Sequence, residues 1–293
     1  MTTSFDIQAL LRQDFLSFAR KVFATLNPGT DYLHNWHVVA IVALLDQVMQ
    51  GETRRAMINV PPRTLKSMIV SIAWPAFLLG HDPTRKIFVV SHGLDLAEEH
   101  HAAFRKVVES DWYRAAFPTM SPAAEKDTAL VFRTSQGGQR KAFSVESHIT
   151  GQGADIIILD DPLDASDALS EPACDKVNNW IVNVLMGRFN QGATGIMVLV
   201  MQRLAINDPA ACLRELETWT VLSLPAIAEE DMTIPIGSDR THIFAKGDLL
   251  HPKLLDTAYL DQRRRAMGSA AYNAQYLQRP LPPGGGVIDL GLF

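Results

Sequence analysis

The sequence predicts an α/β three-layer sandwich built on a mainly parallel central sheet. Two observations carry this. Segments 56–60, 86–91, 154–159 and 196–201 are continuous apolar runs of strand length, the pattern of strands buried on both faces. Longer stretches with apolar residues at helical spacing alternate with them, and such alternation puts helices on both sides of one sheet.

Taken in chain order, 5–24 and 36–50 have helical spacing, so 1–50 reads as a helical lead-in. A short strand is expected over 56–60 and a helix over 66–79, with Pro75 kinking it. A strand at 86–91 (KIFVVS) and a helix at 94–109 follow. Segments 129–134 and 141–145 pair as a hairpin around Gly137-Gly138. Then come a strand at 154–159, a helix at 170–186, a strand at 196–201 (IMVLVM) and a helix at 209–217. A short strand at 221–224 and a long Arg- and Ala-rich helix at 255–278 complete the series. The stretch 279-RPLPPGGG-286 reads as a linker, so the expected division is one domain over 1–278 and a linker over 279–293.

Composition narrows the function. The chain has 293 residues, 47% of them hydrophobic, enough for a sizeable core. Net charge is −5, so any contact with nucleic acid must use a local patch rather than the whole surface. Cys174 and Cys212 are the two cysteines and form no C-x-x-C, which argues against a disulfide framework or a zinc knuckle. There is no signal-peptide core and no apolar run long enough to span a membrane, so the expected location is the cytoplasm.

Four stretches carry candidate chemistry. The first is 59-NVPPRTLKSMIVSIAWP-75, an apolar strand, a turn, then Lys-Ser opening a helix. It has the outline of a phosphate-binding loop, G-x-x-x-x-G-K-[ST], with Val60 and Leu65 in the glycine positions. Pro61 and Pro62 have no N–H, so anion donors would come from Arg63 to Ser67, and Pro62, Arg63, Thr64, Leu65, Lys66 and Ser67 are the candidate cradle. Lys66 would reach the β- and γ-phosphates, and the Ser67 hydroxyl would bind Mg2+. A Cβ at Leu65 limits how closely the backbone approaches a phosphate, and a plain helix start with a solvated lysine fits the same residues.

The second is 156-IIILDD-161, an apolar strand ending in two carboxylates, the Walker B pattern. Asp160 would hold the Mg2+ shell and Asp161 would orient or deprotonate an attacking water. Acids that only cap a strand before Pro162 are the plainer alternative. Residues 66 and 160 leave room for two strand–helix units, as expected if another strand separates the loop strand from the acidic strand. The third is 196-IMVLVMQRLAINDP-209, where Gln202 ends a buried strand at the edge that holds ligands in open α/β sheets and either senses the γ-phosphate or is a plain polar strand terminus. Arg203 is either a phosphate contact or a surface charge. The fourth is 34-HNWHVVAIVALLDQ-47, where Trp36 and His37 either stack on and hydrogen-bond an adenine or anchor a helix to the core.

In this order the motifs resemble the ATPase domain of phage terminase large subunits, the DNA-packaging motors of tailed phages. The resemblance runs from about residue 15 to 286 and rests on PPRTLKS (61–67), SHGLDLAEEHHAAFRKVVES (91–110), TGQGADIIILDDPLD (150–164), MQRLAINDPAACL (201–213) and AYNAQYLQRPLPPGGG (271–286). In that family the loop often begins Pro-Pro-Arg and Asp-Asp-Pro commonly follows the acidic strand. Here Leu65 replaces the usual glycine, Gln202-Arg203 stands where Thr-Arg is frequent, and His37 where Gln is frequent.

The resemblance implies an additional-strand P-loop NTPase core, ATP and Mg2+ as cofactors, and a homo-oligomeric ring at the procapsid portal. It also implies double-stranded DNA, a portal protein and a small terminase subunit as partners, and a C-terminal nuclease domain. No metal-binding acid cluster follows Gly286, where Asp289 is the one acid, so nuclease activity is not expected of this chain. Arg63 in cis and Arg140 in trans are the candidate arginine fingers, and an ordinary surface arginine is the alternative for each. The basic run at 263–265 is a weaker candidate for phosphate contacts to DNA. Alternatives are a helicase-like additional-strand ATPase and a catalytically weak scaffold with a nucleotide-binding fold.

Overall fold

A computed structural model describes residues 4–124 and 128–282. In chain order the helices and strands are α1 (Ser4–Gln13), α2 (Phe15–Leu26), α3 (Trp36–Gln50), β1 (Arg55–Asn59), α4 (Trp74–His81), β2 (Lys86–Ser91), α5 (Leu94–Val108) and α6 (Asp111–Ala116). They continue with β3 (Val131–Arg133), β4 (Gln139–Ser144), β5 (Ile156–Asp160), α7 (Glu171–Trp180), β6 (Ile196–Met201) and α8 (Pro209–Leu216). The last are β7 (Thr220–Ser223), β8 (Met232–Pro235), β9 (Thr241–Phe244) and α9 (Thr257–Gln275).

Seven strands form one sheet in the order β3-β4-β2-β5-β6-β1-β7. All neighbours are parallel except the edge pair β3–β4. Alternate strand residues feed two cores, as the two-residue repeat of a strand requires. Ala56, Ile58, Val89, Ile158 and Val200 pack with the helices of the N-terminal half. Met57, Val90, Leu159 and Leu199 pack with Cys174, Val177, Trp180 and Leu213 from α7 and α8. Helix, sheet, helix are therefore the three layers, as expected from the apolar runs.

Register sets the position of the candidate chemistry. Ser91 lies opposite Asp160, Asp160 opposite Val200, and Asn59 opposite Met201, so the carboxyl ends of β2, β5, β6 and β1 form one rim. Strand β6 lies between β1 and β5, which is the separating strand the sequence required. The count between them differs from expectation. One strand–helix unit, β2–α5, precedes α6 and the β3–β4 hairpin, and β4 returns parallel to β2. Gly138 permits this return, because a Cβ there would stand 2.3 Å from the Pro83 carbonyl oxygen.

Other boundaries also moved. The 5–24 helix is broken at Asp14, whose Oδ2 accepts the Ser17 N–H at 2.8 Å and caps α2. The helix after the loop is π-helical over Met68–Ala73 before Pro75 enters α4, so the proline follows a widened turn. Likewise α7 runs into a π turn over Ile181–Leu185. Helix α9 contains Gly268 at φ 78°, ψ 162°, so it is two helices joined at a kink. The β8–β9 hairpin was not anticipated. Most of the linker, residues 283–293, lies outside the described residues. Among the described residues no helix is long and apolar enough to cross a membrane.

Candidate active site

The loop between β1 and the π turn holds a glycine-like shape without glycine. Arg63 and Leu65 have φ of 64° and 63°, the left-handed region that a Cβ disfavours, at a cost of about 1–3 kcal/mol each. Leu65 offsets part of this by packing its half-buried side chain against the core. Thr64 between them is buried, and its hydroxyl donates to the Pro61 carbonyl at 2.8 Å. Leu65 therefore does not prevent the tight turn. Pro62 is half-buried and Arg63 projects into solvent.

Lys66 and Ser67 meet the acidic strand. The Lys66 ammonium is ion-paired with the Asp161 carboxylate across 95 residues of sequence. The Ser67 hydroxyl donates to Asp160 Oδ1 at 2.9 Å. Asp160 is fully buried at the end of β5. Asp161, just beyond it, has φ 44°, and its N–H donates to the Val200 carbonyl at 2.9 Å. The Asp161 carboxyl is held above its usual range, chiefly by burial, with the Lys66 ammonium opposing the rise and the Asp160 charge adding to it.

The residues present fit a divalent cation. Asp160 Oδ2 and Asp161 Oδ1 are buried and accept no hydrogen bond, leaving lone pairs that a hard cation and its water would use. Among the described residues no group of three or more His, Cys, Asp and Glu is placed to hold a metal ion.

Sequence reading missed the histidines of this rim. His100 of α5 has Nδ1 3.5 Å from Asp160 Oδ2, a contact too long for a good hydrogen bond, and burial holds its pKa below the usual value. The His92 backbone N–H donates to the Asp161 carbonyl at 3.1 Å, and its ring Nδ1 sits at the same distance. His92 follows β2 directly, so the strand-end rule that singled out Gln202 would have found it. His100, within a helix, leaves no such signal.

Gln202 does sit at the end of β6 on the rim, with Oε1 buried and without a partner. Arg203 is ion-paired with Asp208. Its Nε donates to Asp208 Oδ2 at 2.9 Å and its backbone N–H to Gln278 Oε1 at 2.9 Å.

Three expectations need correction. Arg140 has no exposed surface, so it does not reach a neighbouring subunit. Its Nη2 donates to the Ser71 carbonyl at 3.0 Å, and its Nη1 lies 2.8 Å from His101 Nδ1. Trp36 stacks on His242 with centroids 4.2 Å apart and meets Phe244 at 5.0 Å, so hairpin β8–β9 occupies it. His37 is 1% exposed, with Nε2 3.2 Å from the Thr64 carbonyl oxygen, so its ring is engaged by the 61–67 loop. Of the basic run, Arg264 and Arg265 are exposed and Arg263 is half-buried beside Tyr276.

No protein-family model matches the chain, and no curated protein matches its sequence. Its structure is similar to that of the HK97 bacteriophage large terminase, with a TM-score of 0.51 and 14% identity, covering 89% of this chain and 55% of that one. The chain thus spans about half the length of that protein. It is also similar to the Thermus phage P74-26 large terminase ATPase domain, with a TM-score of 0.50 and 14% identity, covering 89% of this chain and 98% of that one. The chain has the fold of the phage large terminase ATPase domain.

Proposed function

We propose that this chain is an ATP-hydrolysing motor domain of a phage packaging terminase. The observation that carries the proposal is the meeting of two distant sequence motifs on one rim, Lys66 with Asp161 and Ser67 with Asp160. The shared fold supports it. Mg2+, when bound, would neutralise charge on the phosphate oxygens. Ser67 and Asp160 are the residues that would hold it, Asp160 through water.

Backbone N–H groups from Arg63 to Ser67 and the Lys66 ammonium would bind the triphosphate. Phosphate oxygens would then compete with Asp161 for that ammonium. Asp161, released from it, would orient the attacking water as general base. Gln202 would sense the γ-phosphate from the adjacent strand end. Exposed Arg63 is the remaining finger candidate in cis, and its removal is expected to lower kcat by about 10³-fold. Double-stranded DNA, a portal protein and a ring of identical subunits in the host cytoplasm are the partners and setting this function requires.

The test is steady-state ATP hydrolysis by wild type, Lys66→Ala and Asp161→Ala. The two variants are expected to lose about 10²–10³ in kcat. Equal rates in all three would remove the motor reading and leave a scaffold.

A further inference from the structure

A phosphate loop without glycines needs support from elsewhere, and His37 stands where that support acts. The two residues in left-handed backbone, Arg63 and Leu65, flank Thr64. Thr64 is 1% exposed, its hydroxyl engaged by Pro61 and its carbonyl by His37. A carbonyl can only accept, so the His37 Nε2 must carry the proton and donate it. Burial lowers the His37 pKa to about 4, which keeps the ring neutral and the tautomer fixed near neutral pH.

The rest of the ring does no comparable work. His37 Nδ1 has no hydrogen-bond partner, and His251 lies beside it at a centroid distance of 5.6 Å. Nor is the position of His37 loose, because Asn35 caps α3 and its Oδ1 accepts the His37 N–H at 3.4 Å. The histidine therefore links a well-anchored helix start to the centre of the strained turn.

We propose that His37 is a positioning residue whose Nε2–H, donated to the Thr64 carbonyl, holds the 63–65 turn in the shape that glycines would otherwise supply. The amides after it and Lys66 are thereby kept in place for a triphosphate. The ligand in this statement rests on the ATPase reading above, whereas the loop geometry does not.

Wild type, His37→Ala, His37→Gln and the double variant His37→Ala/Leu65→Gly separate the possibilities. Amide hydrogen exchange over 63–67 is measured without nucleotide, and the dissociation constant is measured for Mg-ADP. His37→Ala is expected to speed loop exchange about tenfold and weaken Mg-ADP binding about tenfold, equivalent to about 1.4 kcal/mol. His37→Gln, which keeps a side-chain N–H donor, is expected to recover most of both. Leu65→Gly in the double variant is expected to do the same, because glycine enters positive φ without the Cβ penalty.

Unchanged loop exchange in folded His37→Ala overturns the proposal. So does protection lost evenly across the core with no rescue by Leu65→Gly, the outcome for a plain core histidine. Should His37→Ala fail to fold, a folded double variant with a protected loop supports the proposal, and an unfolded one overturns it. A wild type that binds no Mg-ADP yet passes the exchange arm overturns the ATPase reading alone.

Discussion

Arg140 is a residue whose type suggested one role and whose surroundings give another. Pro75 has no N–H to offer the Ser71 carbonyl four residues before it, and Arg140 donates to that carbonyl instead. Its guanidinium also lies 4.9 Å from the centre of the Phe104 ring. Burial lowers its pKa to about 9, opposed by the charge of Asp160, so it remains a cation at neutral pH. Arg140→Ala is expected to cost about 3 kcal/mol through an orphaned carbonyl and a cavity, measured by urea denaturation. A finger acting in trans would instead lose rate at unchanged stability.

Asp46 gives a pH prediction at the same scale. Burial, with Asp14 nearby, raises its pKa from 3.8 to about 6. The folded state then binds more protons than the unfolded state between these values, so this contribution is full below pH 3.8 and lost as pH rises through about 6. Asp46→Asn is expected to be more stable than wild type above pH 6, with the difference vanishing toward pH 4. Solvent screening at a half-buried carboxylate keeps the effect to about 1 kcal/mol. Unfolding free energies of both proteins from pH 4 to 8 check it.

Among the elements, those defined by apolar period and strand length were legible, and those defined by contacts were not. Helix α3 and strand β6 fall where the spacing put them. The α1–α2 break was missed, although Asp14 before Phe15 carries a helix-cap signature. The π turns were not legible, because their periodicity differs too little from 3.6 over so few residues. Hairpin β8–β9 has short strands and only partial burial, yet it sets the surroundings of Trp36. Trp36→Ala is expected to speed amide exchange over 232–244 and destabilise by about 2 kcal/mol, with nucleotide affinity near wild type. A selective loss of ATP over GTP binding would return Trp36 to the adenine site.

At the scale of the whole molecule, the sheet order brings distant chemistry together. Placing β6 between β1 and β5 sets two strand ends apart by one strand, a gap that the Lys66 and Ser67 side chains bridge. A ligand spanning this rim contacts both halves of the sheet and is linked to global folding. Mg-ADP at about 100 times its dissociation constant is expected to add about 2.7 kcal/mol to unfolding, read by denaturant titration. Lys66→Ala is expected to abolish most of that gain. Full retention would place the nucleotide elsewhere.

By itself the sequence determined the layered α/β fold, the strand-end location of Asp160, Asp161 and Gln202, and the helix-start location of Lys66 and Ser67. These follow from periodicity and chain direction, which are local properties. Tertiary structure alone decided that Arg140 is internal, that Trp36 is covered by His242, and that His37 meets the Thr64 carbonyl. The reason is that a side chain's role depends on which partners topology brings within a few ångströms, and no local pattern encodes partners tens of residues away.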